Sequence, residues 1–177
     1  MNSFRGYNIG VIGGSVIDGE YCRIAEDLGR KLAVRGHLVI CGGLGGVMEC
    51  VARGVSEEKG VSIGILPGAS PDSGNPYIGI SIPTGIGYMR NFFIIRASDA
   101  LISIDGSTGT MSEAAFALSE GKSVISIGDP VVSTKKPTDG KIIVVSTPEE
   151  AVIAAEQEAE IQREKSRKTD MLMGYHH

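Results

Sequence analysis

Residues 101–113 read LISIDGSTGTMSE, and this stretch contains the pattern that decides the fold. The run from Leu101 to Ile104 predicts a buried strand, and a glycine-rich turn follows it directly. A helix is then predicted from about Thr110 to Glu120, since Gly121 supplies a stop signal. Strand, glycine turn and helix in direct succession are typical of an α/β sheet.

The same succession recurs along the chain, where short β-branched runs alternate with longer amphipathic segments. The predicted strands are residues 8–12, 38–41, 61–66, 78–82, 101–104, 123–127 and 141–145, and the predicted helices are 20–34, 44–59, 87–97, 110–120 and a last one capped by Thr147. Mostly unbroken apolar strands indicate a parallel sheet with helices on both faces and right-handed crossovers. The predicted fold class is therefore α/β, a single-domain doubly wound (Rossmann-like) sandwich of about seven mostly parallel strands.

Length and charge limit the class of protein. The 177 residues are close to one domain, so residues 1–170 are assigned to a single nucleotide-binding domain and 171–177 to a flexible tail. A net charge of −4 argues against binding to nucleic acid, and no apolar stretch is long enough to span a membrane. Because no signal peptide pattern opens the chain, we expect a soluble, cytoplasmic protein.

The positions of the cysteine and histidine residues argue against a metal site and against a catalytic triad. Cys22, Cys41 and Cys50 lack the close spacing of a zinc site or a redox pair, and we interpret them as buried, reduced, apolar residues. His37 is predicted at the beginning of a strand, opposite the usual ligand edge, and His176 and His177 close the chain. No metal ligands and no Ser-His-Asp triad are therefore predicted.

Glycine is abundant and points to a ligand site. It accounts for 25 of the 177 residues, and the glycines gather where predicted strands end. The three clusters are Gly13-Gly14, Gly42-Gly43-Leu44-Gly45-Gly46 and Gly106-Ser107-Thr108-Gly109. Because the carboxyl ends of parallel strands meet at one edge of the sheet, we expect the clusters to lie together there. Ligands of doubly wound sheets bind at that edge.

The turn after residue 104 favours a phosphate. Free N–H groups at the start of the next helix attract an anion, Thr110 adds a hydroxyl, and Glu113 lies one turn further on. The structural alternatives are tight packing for Gly106 and Gly109 and a dipole complement for Glu113. The predicted ligand-binding residues are Gly14, Ser15, Gly42, Gly43, Gly45, Gly46, Arg90, Gly106, Ser107, Thr108, Gly109, Thr110 and Glu113.

The predicted helix 87–97 is apolar nearly all round, so we expect it to be buried on more than one side, partly against a second subunit of a dimer or tetramer. Arg90 interrupts this apolar stretch. An arginine there needs a partner, and a phosphate or a carboxylate is expected, with a structural ion pair to Glu113 as the alternative.

Two common nucleotide-binding motifs, the dinucleotide-binding fingerprint and the P-loop, do not match this sequence. The turn after the first strand is out of register with G-x-G-x-x-G, and the second strand ends at Cys41 instead of a carboxylate, which argues against NAD. Residues Gly121-Lys122-Ser123 imitate the end of a P-loop, but Phe116 stands where the first glycine is required and a strand follows instead of a helix.

Five motifs together resemble one superfamily: VIGGS at 11–15, CGGLGGVMECVARG at 41–54, GILPG at 64–68, MRN at 89–91 and DGSTGTMSE at 105–113. This superfamily contains the LONELY GUY cytokinin-activating phosphoribohydrolases, long misannotated as lysine decarboxylases, and the molybdenum cofactor carrier proteins. The resemblance covers residues 7–146 and implies a Rossmann-like fold.

The hydrolases of this superfamily carry P-G-G-x-G-T-x-x-E, preceded by a helix with arginine followed by lysine. The positions that match are Arg90, Gly106, Gly109, Thr110 and Glu113. Asp105, Ser107 and Asn91 replace the proline, a glycine and the lysine. These departures favour the cofactor-carrier branch over the hydrolases.

The favoured hypothesis is binding, as a carrier or sensor, of a phosphorylated heterocycle such as molybdopterin or a nucleoside monophosphate, with no further cofactor required. The alternative implied by the resemblance is a phosphoribohydrolase that cleaves the N-glycosidic bond of a nucleoside 5′-monophosphate. Arg90 and Glu113 would be catalytic only in that case, with the carboxylate stabilising an oxocarbenium-like state. Whether the chain is an enzyme stays open at this point.

Overall fold

A computed structural model describes residues 6–105, 108–130, 132 and 140–173. The strands are β1 (Asn8–Gly13), β2 (Leu38–Cys41), β3 (Ser62–Leu66), β4 (Ile80–Pro83), β5 (Ala100–Ile104), β6 (Val124–Ile127) and β7 (Ile142–Val145). The α-helices are α1 (Gly19–Val34), α2 (Val47–Glu57), α3 (Asn91–Ala97), α4 (Thr108–Ser119) and α5 (Pro148–Leu172). Short 3₁₀ turns cover Pro71–Ser73 and Gly87–Arg90.

Within the described residues, the strands form one seven-stranded sheet in the order β4-β3-β2-β1-β5-β6-β7, and every pairing is parallel. This arrangement confirms the predicted doubly wound α/β fold. The chain adds β2, β3 and β4 on one side of β1 and then returns to pair β5 with the other side. The order therefore reverses between β1 and β5, the place where such sheets bind ligands.

The two faces of the sheet are covered unequally. One core cluster joins the sheet to α1, α2 and α5, and its fully buried members include Leu28, Val51 and Val152. The other cluster joins the sheet to two helices, α3 and α4, of which α3 has seven residues, through residues such as Ile94, Ile95 and Ala117. The α3 side of the molecule is therefore the more thinly covered one.

Helices α1 and α2 approach each other closely at two glycines. A Cβ added at Gly54 would overlap the carbonyl oxygen of Glu26, and one added at Gly29 would overlap the carbonyl oxygen of Val51. The helix pair therefore needs glycine at both positions. This packing matters for the site because the turns before α1 and α2 both reach the ligand edge of the sheet.

We expect Gly54→Ala to lower the free energy of unfolding by about 1–2 kcal/mol, since the overlap with backbone outweighs the gain of about 1 kcal/mol in helix propensity. Chemical denaturation measures this change. The matched control is Gly19→Ala in α1, where a Cβ meets only the Arg23 side chain at 3.7 Å. Equal stability changes in the two variants would contradict the close approach.

The structure describes a single chain, so it tests only part of the expectation that the helix at 87–97 is buried on more than one side and partly against a second subunit. Within one chain it is buried along one side only, because α3 has the sheet beneath it and little above it: Ile94 and Ile95 are buried, whereas Phe93 is 52% exposed. Its beginning is a 3₁₀ turn, in which Tyr88 and Met89 are also exposed. Burial on a second side is therefore not supplied by the chain itself.

The interpretation of all three cysteines as reduced is wrong for one pair. Cys22 of α1 and Cys50 of α2 form a disulfide, with their Cα atoms 5.4 Å apart. The close packing of the two helices brings together residues that are 28 positions apart in sequence. Cys41 fits the prediction: it is free and fully buried, and burial raises the pKa of its thiol to about 11.

Two polar side chains that could suggest chemistry are structural. His37 lies at the beginning of β2, as predicted, where Nδ1 accepts from Tyr7 N and Nε2 lies 2.9 Å from Glu156 of α5. Lys122 Nζ donates to the carbonyl oxygens of Ile95, Arg96 and Ser98 at the end of α3. Because three donated hydrogen bonds use all the protons of an ammonium group, Lys122 is not available to a phosphate, in agreement with the rejected P-loop.

The capping box predicted at Thr147 and Glu150 is present, and α5 continues to Leu172.

Two further expectations stay predictions. In the part of the chain that the structure describes, no helix is long and apolar enough to cross a membrane, and that finding does not test the expected cytoplasmic location. The division into a domain at 1–170 and a flexible tail at 171–177 also stays a prediction, and His176 and His177 lie outside the described residues.

Candidate functional site

The turns after β1 and β2 and the beginning of α4 converge on a cavity of about 170 Å³, which we call the anion cavity. Its lining residues are Val11, Ile12, Gly13, Ser15, Gly42, Leu44, Met48, Tyr88, Arg90, Asn91, Gly109, Thr110 and Glu113. The cavity lies at the carboxyl edge of the sheet, because Gly13 and Ile104 are register partners at the ends of β1 and β5. It therefore occupies the edge that the glycine clusters predicted.

Arg90 is the charged centre of the anion cavity. The residue is only 6% exposed, yet its Nε and Nη1 atoms have no hydrogen-bond partner among the described residues. Burial lowers the pKa of Arg90, an effect that the nearby Glu113 and Cys41 oppose. A buried guanidinium with unused donors is an energetic cost for the unliganded fold.

Gly42 makes room for this guanidinium. A Cβ at position 42 would overlap Nη1 of Arg90, so any other residue would displace the guanidinium from its place beside β2. The turn itself is fixed from outside by Asn75, whose backbone N–H donates to Gly43 O and whose Nδ2 donates to Leu44 O. The loop at 67–77 therefore supports the site through Asn75, a role that the sequence did not indicate.

Glu113 lies on α4 and is 8% exposed. Burial raises the pKa of its carboxyl group to about 7, although the positive charge of Arg90 opposes that shift. Nε and Nη1 of Arg90 have no hydrogen-bond partner among the described residues, so neither atom donates to the Glu113 carboxylate. The structural ion pair that the sequence offered as an alternative is therefore not formed through these two atoms. A carboxyl group with a pKa near 7 can donate or accept a hydrogen bond at neutral pH.

The end of β5 carries an unusual backbone conformation. Asp105 has a φ of +60°, in the left-handed region that residues other than glycine rarely adopt. Gly14 leaves space for its side chain, since a Cβ at Gly14 would lie 2.7 Å from Asp105 Oδ2. Backbone strain of this kind is concentrated at functional sites, and here it directs the chain from β5 toward α4.

The predicted ligand-binding residues divide into three groups. Those that line the anion cavity are Ser15, Gly42, Arg90, Gly109, Thr110 and Glu113. Those that lie nearby without lining it are Gly14, Gly43, Gly45, Gly46 and Thr108. Gly106 and Ser107 lie outside the described residues, so the prediction for them stays untested.

Packing explains why two of the glycines are set back from the cavity. Gly43 has a φ of +71°, and a Cβ there would lie 2.6 Å from Leu66 Cδ2. Gly46 has a φ of +67°, and a Cβ there would overlap the carbonyl oxygen of Gly14. These glycines allow the turns to approach each other and the sheet, which is a structural role.

A second, larger cavity of about 470 Å³ adjoins the anion cavity, and we call it the aromatic cavity. Its lining residues are Tyr88, Met89, Asn91, Phe92, Gly109, Ser112, Glu113 and Phe116, four of which also line the anion cavity. Phe92 and Phe116 meet edge to face, with ring centroids 6.2 Å apart. The anion cavity, with its buried charged side chains, thus adjoins a larger apolar surface that suits a ring.

Sequence reasoning assigned no site role to Asn91, Leu44 or Met48, which also line the anion cavity. Asn91 was noted only as a replacement for lysine, yet its Oδ1 atom is buried without a hydrogen-bond partner among the described residues. Its position directly after Arg90 in the MRN motif was the available signal. Leu44 and Met48 lie within the CGGLGGVMECVARG motif at 41–54, but their apolar side chains did not distinguish them from core residues.

Comparison with known proteins places these features in a family. The model of the SLOG cluster4 family matches residues 6–152. A protein of Archaeoglobus fulgidus, named only as an uncharacterized protein, is 47% identical over 144 residues, which are 81% of this chain and 91% of that protein.

Solved structures give a similar result. The molybdenum cofactor binding protein of the phototrophic bacterium Rippkaea orientalis has a TM-score of 0.79 and 29% identity, over 88% of this chain and 98% of that one. A Moco carrier protein from Chlamydomonas reinhardtii has a TM-score of 0.75 and 30% identity, over 87% and 98% of the two chains. These matches confirm the resemblance drawn from the five motifs. Because the family model covers most of its length, this chain belongs to the SLOG cluster4 family.

Proposed function

We propose that this chain binds a phosphorylated heterocycle, as a carrier or sensor, and that the molybdenum cofactor is its first candidate ligand. The observation that carries the proposal is the buried guanidinium of Arg90, which faces the anion cavity with two unpartnered nitrogen atoms among the described residues. A phosphate would satisfy both through charge-assisted hydrogen bonds. The names of the similar Rippkaea and Chlamydomonas proteins support the same class of ligand.

The two adjoining cavities match the two parts of such a ligand. Phosphate oxygens would lie in the anion cavity, between Arg90 and the hydroxyl-bearing start of α4 at Thr110. The ring system would extend across the aromatic cavity, where Tyr88 is 91% exposed and free to cover a planar ligand. Apolar walls with a few convergent polar groups are typical of small-molecule sites.

Phosphoribohydrolysis is the second candidate, and Glu113 is the observation that favours it. A buried carboxyl group with a pKa of about 7 is suited to general acid–base work at neutral pH. In that reaction the ionised carboxylate would stabilise an oxocarbenium-like state while Arg90 held the 5′-phosphate. Against it, Asn91 stands where the hydrolases carry lysine, so the site lacks one cation.

The deciding experiment is to purify the protein under native conditions, denature it and identify the released small molecule by mass spectrometry. We expect a phosphorylated pterin or nucleotide in near-stoichiometric amount. Isothermal titration with the molybdenum cofactor and with AMP then measures affinity, and release of ribose 5-phosphate from AMP measures hydrolysis. Absence of both a co-purified ligand and any saturable binding would overturn the proposal.

We further propose that the chain forms a homo-oligomer through the apolar surface beside α3. Ile82, Ile86 and Phe93 are 42%, 44% and 52% exposed, and they line a third cavity of about 620 Å³ next to β4, the edge strand. A second copy of the chain is the expected occupant, because a two-fold axis would pair this surface with itself. Light scattering is expected to give the mass of a dimer or tetramer, and Phe93→Asp is expected to lower it; a monomer mass for the unaltered chain would contradict the proposal.

A further inference from the structure

The Cys22–Cys50 disulfide lies beside the candidate site, and Ser15 lines both the anion cavity and the hollow over the disulfide. Cys22 is the fourth residue of α1, and Cys50 is the fourth residue of α2. Both sulfur atoms therefore lie in the first turns of helices, where the helix dipole favours negative charge. Cys22 is half-buried and Cys50 is 6% exposed.

Arg53 brings a cation to both sulfur atoms. Its Nη2 atom lies 3.2 Å from Cys22 Sγ and 3.6 Å from Cys50 Sγ. The same nitrogen is 2.7 Å from Glu26 Oε1, so the ion pair holds the guanidinium over the disulfide. A guanidinium in this position stabilises a thiolate when the bond is broken, and the thiolate is the reactive form of cysteine.

The disulfide is also accessible. A hollow of about 330 Å³ opens over it, lined by residues of the turn before α1, by Cys22, and by Gly46, Glu49, Cys50 and Arg53 of the second turn and α2. The charged groups that face the pair from the packed elements are thus Asp18, Glu26, Glu49 and Arg53. Reactive cysteines lie in partly exposed surroundings of this kind, whereas structural ones are sealed in the core like Cys41.

A metal site is the competing use of the same cluster, since Cys22, Glu26 and Cys50 place three ligand atoms within 4.8 Å of one another. The position of Arg53 argues against it. The Arg53 guanidinium already forms an ion pair with Glu26 and contacts both sulfur atoms. A metal ion that bound Glu26 would have to displace this guanidinium. Arg53 would therefore have to move before Glu26 and the two sulfur atoms could share a metal ion, whereas thiol–disulfide exchange leaves the ion pair in place.

We propose that Cys22 and Cys50 form a redox-active pair that undergoes thiol–disulfide exchange with external dithiols. The thiolate of the dithiol attacks Cys22 Sγ, the more exposed sulfur, and the Cys22–Cys50 bond breaks to leave a Cys50 thiolate beside Arg53. The second thiol of the dithiol then attacks the mixed disulfide and releases Cys22. One protein disulfide is reduced to two thiols, and one dithiol is oxidised to its cyclic disulfide, so atoms and electrons balance.

The test uses the full chain equilibrated in mixtures of reduced and oxidised dithiothreitol, then denatured in acid, alkylated and weighed by mass spectrometry. We expect the number of alkylated cysteines to change reversibly between one, Cys41, in the oxidised protein and three in the reduced protein. Circular dichroism is expected to show the native fold in both the oxidised and the reduced protein. A pair that is never oxidised, or one that is reduced only when the protein unfolds, overturns the proposal.

The role of Arg53 is tested on the reduced native protein with iodoacetamide. We expect Arg53→Gln to slow the alkylation of the pair about fivefold, and Arg53→Lys to retain most of the rate. Arg23→Gln is the matched control, because Arg23 adjoins Cys22 in sequence but is not a donor to either sulfur among the described contacts. Equal slowing in the control, or no slowing in Arg53→Gln, overturns the assignment.

The metal alternative has its own measurement. The reduced protein is titrated with Zn²⁺ against a chromophoric indicator, and we expect no binding that depends on Cys22. Stoichiometric Zn²⁺ binding that Cys22→Ser abolishes would overturn the redox assignment in favour of a metal site. Neither outcome depends on the ligand of the anion cavity, so the redox proposal and the proposed function stand or fall separately.

Discussion

An Arg90→Met variant is expected to bind the molybdenum cofactor at least about 30-fold more weakly than the unaltered chain, because truncating one partner of a buried charged contact costs about 2–5 kcal/mol. The effect is large for a structural reason. Arg90 is 6% exposed, and two of its nitrogen atoms have no partner within the described residues, so these two atoms can donate to the proposed ligand.

The same substitution is expected to stabilise the unliganded protein. A buried guanidinium with two unpartnered nitrogen atoms among the described residues opposes folding, and methionine fills similar space without a charge. Thermal unfolding of the ligand-free variant should therefore occur at a higher temperature than that of the unaltered chain. Opposite signs for affinity and stability are the signature of a group kept for binding.

Titration calorimetry measures the affinity, and differential scanning calorimetry measures the stability of the same samples. The matched control is Arg96→Met, since Arg96 lies six residues further on, pairs with Glu120 and does not line the anion cavity. If Arg90→Met bound the cofactor as tightly as the control, Arg90 would not be a ligand contact. If it were also less stable, the buried guanidinium would be a structural element.

Much of the fold was predictable because the determining signals are local. Glycine immediately after an apolar run indicates where a parallel strand ends, and strand β2 was predicted with the bounds that the structure shows. Parallel strands share one edge, so the convergence of the turns near Ser15, Gly42 and Gly109 followed from the order of elements alone. No pairwise contact had to be known.

The parts that could not be predicted depend on contacts between distant residues. Gly42 leaves space for the Arg90 guanidinium, and Gly14 leaves space for the Asp105 side chain. Both requirements depend on how two strands and two turns meet in space. The Cys22–Cys50 bond depends on the approach of two helices at glycines, which spacing in sequence does not reveal. Exposure of Phe93 likewise depends on how much of α3 the rest of the chain covers.

The second large effect concerns the pH dependence of stability. The pKa of Glu113 is raised from its usual value of 4.5 to about 7, chiefly by burial. Between these two values the folded state keeps a proton that the unfolded state has released, so the unaltered chain loses stability as pH rises. Above pH 7 the carboxyl group is ionised in both states, and the loss is complete.

Glu113→Gln removes this titration, so its stability relative to the unaltered chain is expected to increase by about 2–3 kcal/mol between pH 5 and pH 8. Urea denaturation at each pH measures the difference, and the exposed Glu58→Gln in the turn after α2 is the control for a change of net charge. The sign of this stability difference decides between two arrangements. A carboxylate held ionised by a strong ion pair with Arg90 would have a lowered pKa, and Glu113→Gln would then become less stable, relative to the unaltered chain, as pH rises. That result would show that Arg90 has its partner within the chain and needs no ligand.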